Sequence, residues 1–407
     1  MAENLPQRRC SFSSDGTRHM YGVYVHIPFC VQKCSYCDFL SFEDCSKQDD
    51  YVDALLKEIA GTTLPEIDTI YIGGGTPTAL PSFLLQRILS GLPLQGDSPF
   101  TPTRKIIEKN TQFYSESHCV QKPLAEMPPR IEVTVEANPG TLNRTYLEAL
   151  KASGVNRLSL GLQTTKPHLL KAINRLHSME EFLENYHAAR EVGFDNISVD
   201  LMFALPNQTL QDWQETLEAV IALKPEHISC YSLTLEEGTP LYDVLFVKGD
   251  YMLPNEATDR VMYHMAREML QAAGYKHYEL SNFAKPGYES RHNVNCWRRV
   301  PYRGFGLGAA SFDGAKRWRN ISDMAEYIGG NNMPQDIEVL TPADHDTETM
   351  ILGLRLLDGI AEADVPPAYK GIVTAQIKKG LLTLDNGNVK LTPKGLDLAN
   401  QVFMDFV

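Results

Sequence analysis

Between Tyr21 and Glu236 six short runs rich in β-branched and aromatic residues alternate with amphipathic helical stretches. The runs are YGVYVHI (21–27), DTIYIGG (68–74), IEVTVEANP (131–139), RLSLGLQ (157–163), NISVDLMF (196–203) and HISCYSLTLE (227–236). Between them lie segments with helical apolar spacing, among them DDYVDALLKEIAG (49–61), MEEFLENYHAAREVG (179–193) and LQDWQETLEAVIALK (210–224). Strand-then-helix units in series imply a parallel sheet with right-handed crossovers. Six units suggest an open, partial (β/α)6 barrel in an α/β protein, where eight would close. In either form, ligands gather at the C-terminal ends of the strands. The loops that leave those ends are therefore the places to look for chemistry.

The rhythm sets the domain boundaries. Residues 1–20 read as an N-terminal tail and 21–240 as the barrel. Residues 93–130 are polar and proline-bearing and separate a helix from its next strand by far more than the usual two to six residues, so they read as an insertion loop. Residues 241–336 read as a helical and glycine-rich extension of the core. Residues 337–407 carry two helical stretches, a hairpin with its turn at Asp385–Gly387 and a last helix, the pattern of a small winged-helix-like α+β domain.

The loop after the first strand reads YVHIPFCVQKCSYCDF (24–39) and holds Cys30, Cys34 and Cys37 in the spacing C-x3-C-x2-C. Three cysteines on one loop suit three irons of a [4Fe–4S] cube and leave one iron open. An open coordination position marks a reactive centre rather than a structural one. Two readings compete: a zinc site completed by His26, and an electron-transfer cluster with a distant cysteine as its fourth ligand. Cys10, Cys45, Cys119, Cys230 and Cys296 are scattered along the chain.

C-x3-C-x2-C behind the first strand, with IGGGTPT (72–78) behind the second, resembles the radical S-adenosylmethionine (SAM) superfamily. There, SAM fills the open iron and is cleaved on reduction. YVHIPFC, GGGTPT, EANP, GLQ, DLMFALPNQT and YSLTLEEGT also run in the order of the oxygen-independent coproporphyrinogen oxidase-like family. That resemblance implies a SAM pocket drawn from Tyr24, Tyr36, Gly74, Gly75, Thr76, Glu136, Gln163, Arg175 and Asp200. Gln163 and Asp200, expected at the ends of strands four and five, suit ribose hydroxyls or the methionyl group. Arg175 suits a carboxylate.

Within that family, the oxidases carry a further cysteine two residues after the third and a long N-terminal arm. Here the position is Phe39 and the segment before the first strand is short. Both features resemble the HemW-type heme chaperones, which implies heme as a third cofactor and heme-accepting proteins as partners. That branch has the motif H-N-x-x-Y; this chain has His292 and Asn293, with Cys296 in place of tyrosine. Histidine and thiolate are both able heme ligands. Trp297 and Phe305 are candidate packing faces, and Gly304, Gly306 and Gly308 suit either a flat ligand or close strand packing. A coproporphyrinogen oxidase and a cluster kept only for folding remain as alternatives. Further expected partners are an electron donor and, still to be tested, a second copy of the chain. The net charge of −13 argues against nucleic acid. With no apolar run of membrane length and no secretory signal, a cytoplasmic location is expected.

Overall fold

The computed structural model describes residues 21–94, 131–248 and 252–407. The expected tail, nearly all of the expected insertion, Cys10 and Cys119 lie outside them. The six expected strands are β1 (Tyr21–Ile27), β2 (Ile67–Gly74), β3 (Glu132–Ala137), β4 (Arg157–Gln163), β5 (Ile197–Phe203) and β6 (His227–Ser232). They lie side by side in sequence order, each parallel to the next. β6 stops at Ser232, short of the expected Glu236.

Period-two alternation divides these strands into an apolar outer face and a polar inner one. Val23, Val25, Ile70, Ile72, Val133, Val135, Leu158, Leu160, Val199 and Leu201 enter the main core beneath the helices. Thr69, Tyr71, Glu136, Arg157, Ser159, Ser198, Asp200, His227 and Ser229 take the opposite parity and meet inside the barrel. The crossover helices start where their caps dictate. Asn143 caps Arg144–Ala152, and Ser178 with Glu181 and Thr209 with Asp212 form capping boxes on Met179–Val192 and Leu210–Leu223.

The segment 241–336 corrects the sequence reading. Beyond the helix Glu256–Ala272 it adds six strands to the same sheet. β7 (Lys276–Glu279) and β8 (Asn282–Ala284) extend it past β6. β9 (Tyr302–Phe305) lies parallel to β1 on the other side, and β10 (Ala310–Phe312), β11 (Lys316–Arg319) and β12 (Gln335–Val339) follow antiparallel. These strands have three to five residues, too few to display an alternation. An existing sheet edge supplies the partners that their own sequence does not announce. Among the described residues the outer edges β12 and β7 do not pair, so the barrel is partial.

The glycines of this segment serve close packing of the chain on itself. A Cβ at Gly304 would strike the Ala310 carbonyl, and one at Gly306 would lie 2.6 Å from the His26 carbonyl oxygen. Phe305, expected as a ligand-facing ring, is wholly buried in the core. The C-terminal unit matches its expected form. Helices Pro342–Gly353 and Lys370–Lys378 pack on a small three-stranded sheet, with Asn386 and Gly387 at positive φ in the hairpin turn. Met350, Leu354, Val373, Val389, Val402 and Phe406 give it a core of its own.

Candidate functional site

The cysteine loop leaves the C-terminal end of β1 and is held by backbone hydrogen bonds. The Cys30 amide donates to Phe42 O (2.9 Å), Ser35 N to Ile173 O (3.2 Å) and Leu241 N to Ser35 O (2.8 Å). The glycine loop after β2 is laced onto it, with Gly75 N donating to Ile27 O (2.9 Å) and Thr76 N to Phe29 O (2.7 Å). That contact requires glycine: a Cβ on Gly75 would lie 2.7 Å from Phe29 O and 3.0 Å from Cys30 Sγ. Donors already face two sulfurs. Thr76 Oγ1 donates to Cys30 Sγ (3.7 Å) and Arg175 Nη1 to Cys34 Sγ (3.4 Å). Burial pushes the Cys37 thiol up to about 11 and raises Cys30 as well. Iron binding at this loop must therefore release protons.

His26 does not complete a zinc site. Its Nδ1 is bonded to Tyr24 Oη and its Nε2 to Leu40 O, both at 2.9 Å. Among the described residues no three His, Cys, Asp or Glu side chains converge on a single metal ion. A cube makes no such demand, since each thiolate takes its own iron.

Below the loop opens a cavity of about 450 Å³. Cys30, Cys34, Cys37, Tyr36, Gly74, Gly75, Thr76, Glu136, Gln163, Arg175 and Asp200 all line it. Glu136 accepts from Tyr71 Oη (2.6 Å) and Gly74 N (3.3 Å). Burial and, secondarily, the neighbouring Asp200 carry its carboxyl up to about 7, against the lowering pull of those donors. Asp200 accepts three serine hydroxyls, from Ser159 (2.8 Å), Ser198 (3.0 Å) and Ser229 (2.7 Å). It sits in the middle of β5 rather than at its end, and its parity turns it into the barrel interior. Gln163 does end β4, at φ 66° after a bulge. Arg175 donates through Nη2 to Gly161 O (2.8 Å).

Two expected residues stand off the cavity. Tyr24 lies beside Tyr71, which does line it, with ring centroids 6.4 Å apart. His292 is 7% exposed. Its Nδ1 is bonded to Thr69 Oγ1 (2.9 Å) at the start of β2, and its ring stacks on Tyr71 at 5.1 Å. Burial first, and then Arg157, lower its pKa to about 4, so it is neutral at pH 7. The helix Arg291–Trp297 that carries it is anchored by Glu132, which accepts from the Arg291 and His292 amides (3.1 Å each). Asn293 reaches the cavity. Cys296, one turn on from His292, has its thiol raised to about 11 by burial. Trp297 packs under the Arg355 guanidinium at 4.2 Å.

Sequence reasoning missed Tyr71, Asn138 and Arg157, which also line the cavity. Asn138 Nδ2 donates to Thr76 Oγ1 (2.8 Å). For Arg157 a signal existed: in RLSLGLQ it shares the inward parity of Ser159, Gly161 and Gln163.

Fold and site define a protein of the radical SAM class. Residues 24–220 match the Radical SAM superfamily and residues 340–398 the HemN C-terminal domain. The solved coproporphyrinogen III oxidase HemN from Escherichia coli, described as a radical SAM enzyme, superposes with a TM-score of 0.73 at 22% identity, over 95% of this chain and 90% of that one. Within the class, the chain belongs to the family of the heme chaperone HemW. It is 36% identical over 405 residues to Heme chaperone HemW of Bacillus subtilis (strain 168), covering 95% of this chain and 99% of the relative. The Lactococcus lactis (strain IL1403) protein of the same name is 33% identical (95% and 97% covered), and that of Escherichia coli K12 35% (70% and 68%). The superfamily carries with it a [4Fe–4S] cluster and SAM. No helix among the described residues is long and apolar enough to cross a membrane.

Proposed function

We propose that this protein is a cytoplasmic heme chaperone, which binds heme, holds a SAM-coordinated [4Fe–4S] cluster and passes heme to acceptor proteins. The observation that carries this reading is similarity to proteins named heme chaperone over 95% of the chain. Cys30, Cys34 and Cys37 are the cluster ligands. They fit the group: three thiols leave one strand end, Thr76 and Arg175 donate to two of the sulfurs, and Gly75 clears space against Cys30. Bound there, the cluster supplies an open iron that SAM occupies and, given an external electron donor, one-electron chemistry.

Gly74, Gly75, Thr76, Glu136, Gln163, Arg175 and Asp200, with Tyr36 beside the sulfurs, hold SAM, and Tyr24 props Tyr71 behind them. Asp200, already an acceptor of three hydroxyls, suits the ribose. Arg175 suits the methionyl carboxylate. For heme, His292 offers Nε2, since Nδ1 is engaged by Thr69. Phe39, where the oxidases carry cysteine, is 62% exposed on the cavity lip. An apolar ring there offers packing surface to a flat apolar ligand, and a phenyl group cannot bind iron as a thiolate does.

The test is anaerobic reconstitution followed by incubation with heme and, separately, with coproporphyrinogen and a reductant. The expected result is a stable Soret shift with heme and no decarboxylated product. SAM-dependent formation of protoporphyrinogen would restore the oxidase reading.

A further inference from the structure

Arg157 opens β4 on the inward face, is 2% exposed and lines the cavity. Its Nε is sealed from solvent with no acceptor, and its guanidinium makes no hydrogen bond or ion pair among the described residues. The obvious counter-charges are committed elsewhere: Glu136 to Tyr71 and Gly74, Asp200 to its three serines. The neighbours at this depth are committed too. His227 is bonded through Nδ1 to Ser198 Oγ and through Nε2 to Tyr278 Oη, both at 2.8 Å, and His292 is bonded to Thr69. A buried cation left this way is strongly unfavourable unless an anion meets it. The planar fork of a guanidinium matches a carboxylate in bidentate fashion.

We propose that Arg157 receives a carboxylate of the tetrapyrrole cargo at the floor of the barrel. This rests on the heme reading above and adds the group by which the cargo is gripped. A methionyl carboxylate is the other small-molecule source of this chemistry, and position argues against it. The sulfurs and Arg175 lie at the mouth, whereas Arg157 begins the strand that Gln163 ends. At roughly 3.3 Å per residue those two positions are about 20 Å apart along β4. A methionyl group bound to cluster iron is served at the mouth. Heme, by contrast, carries two propionates on one edge. Asn293, next to the candidate iron ligand His292, lines the same cavity as Arg157.

The experiment is a Soret titration of cluster-loaded protein, parent, Arg157→Gln and Arg157→Lys, with heme and with heme dimethyl ester, whose propionates are blocked. Iron content reports folding of each variant, and SAM binding is measured in parallel. The parent is expected to prefer the diacid by about tenfold or more, the equivalent of one charge-assisted contact. Arg157→Gln should bind the two forms equally, with its ester affinity unchanged, and Arg157→Lys should keep part of the preference. Equal loss of both forms in Arg157→Gln would make the residue merely structural and overturn the proposal. A tenfold loss of SAM affinity with the preference intact would assign the carboxylate to SAM and overturn it as well. Uptake by the parent with no preference would overturn this inference alone. Failure of the parent to bind either form would overturn the heme reading and this proposal with it.

Discussion

The mouth and the floor of the barrel are both polar, but they are built differently. From the mouth down to mid-strand, side chains are held by their neighbours before any ligand arrives: the cysteine loop by the glycine loop, Glu136 by Tyr71 and Gly74, Asp200 by three serines. At the floor His227 is bonded through both ring nitrogens and His292 through Nδ1, both held neutral, while the Arg157 guanidinium has no hydrogen-bond or ion-pair partner among the described residues. Preorganised donors and acceptors suit a ligand bound in one fixed geometry. A lone buried cation suits a ligand that brings its own charge. Under the proposed reading, one cavity holds a resident cofactor at one end and a transient guest at the other.

The largest effects are expected at the mouth. Replacing Cys30, Cys34 or Cys37 by Ala should remove most of the iron and acid-labile sulfide from anaerobically prepared protein, whereas His292→Gln should leave both in place. Equal iron loss at the two ends would erase the distinction. Gly75→Ala comes next. Its methyl group would press on Phe29 O and Cys30 Sγ, so overpacking of about 1–3 kcal/mol and lost cluster occupancy are expected, read by urea unfolding and iron analysis.

The pH dependence should have opposite signs at the two ends. Glu136 titrates near 7 when folded, above its unfolded value of 4.5. Its stabilising share is full below pH 4.5 and is lost as the pH rises through 7, up to about 3 kcal/mol in SAM-free protein. His292 titrates near 4 when folded, below its unfolded 6.5. Stability therefore falls as the pH drops from 6.5 to 4, in a window shared with His177 and His277. Urea unfolding across pH 4–8 should show the stability of Glu136→Gln, relative to the parent, rising from pH 4.5 to 7, and that of His292→Gln falling from pH 4 to 6.5. If the two differences have the same sign, the two environments are not separate. The smallest effect belongs to Cys296→Ala: about 1 kcal/mol of lost packing, with heme affinity in the same titration unchanged, since the heme reading proposed above gives iron to Nε2 of His292.

How much of this was legible in the chain follows from what each element needs. β1 to β6 are six to eight residues long and buried on their outer faces, so composition and alternation both mark them. The cysteine and glycine loops were legible because their residues have few substitutes: thiols for iron, and no Cβ beside Cys30. β7 to β12 were not, since a stretch such as Asn282–Ala284 is a strand only because β6 and β7 flank it. Nor was the burial of Phe305, or the placement of His292 beneath Tyr71, because both depend on β9 and its helix returning to β1 and β2 across more than two hundred residues. Asp200, expected at the end of its strand, lies in the middle of β5 and lines the cavity, because inward parity alone brings a mid-strand side chain there.

The most direct test of the division between mouth and floor is the EPR spectrum of the reduced cluster with and without SAM, in the parent, Asp200→Ala and Arg157→Gln. SAM should perturb the spectrum of the parent and of Arg157→Gln alike, and Asp200→Ala should need far more SAM for the same change. A parent spectrum indifferent to SAM would contradict the open iron site, and a SAM response lost in Arg157→Gln but kept in Asp200→Ala would put the two ends the wrong way round.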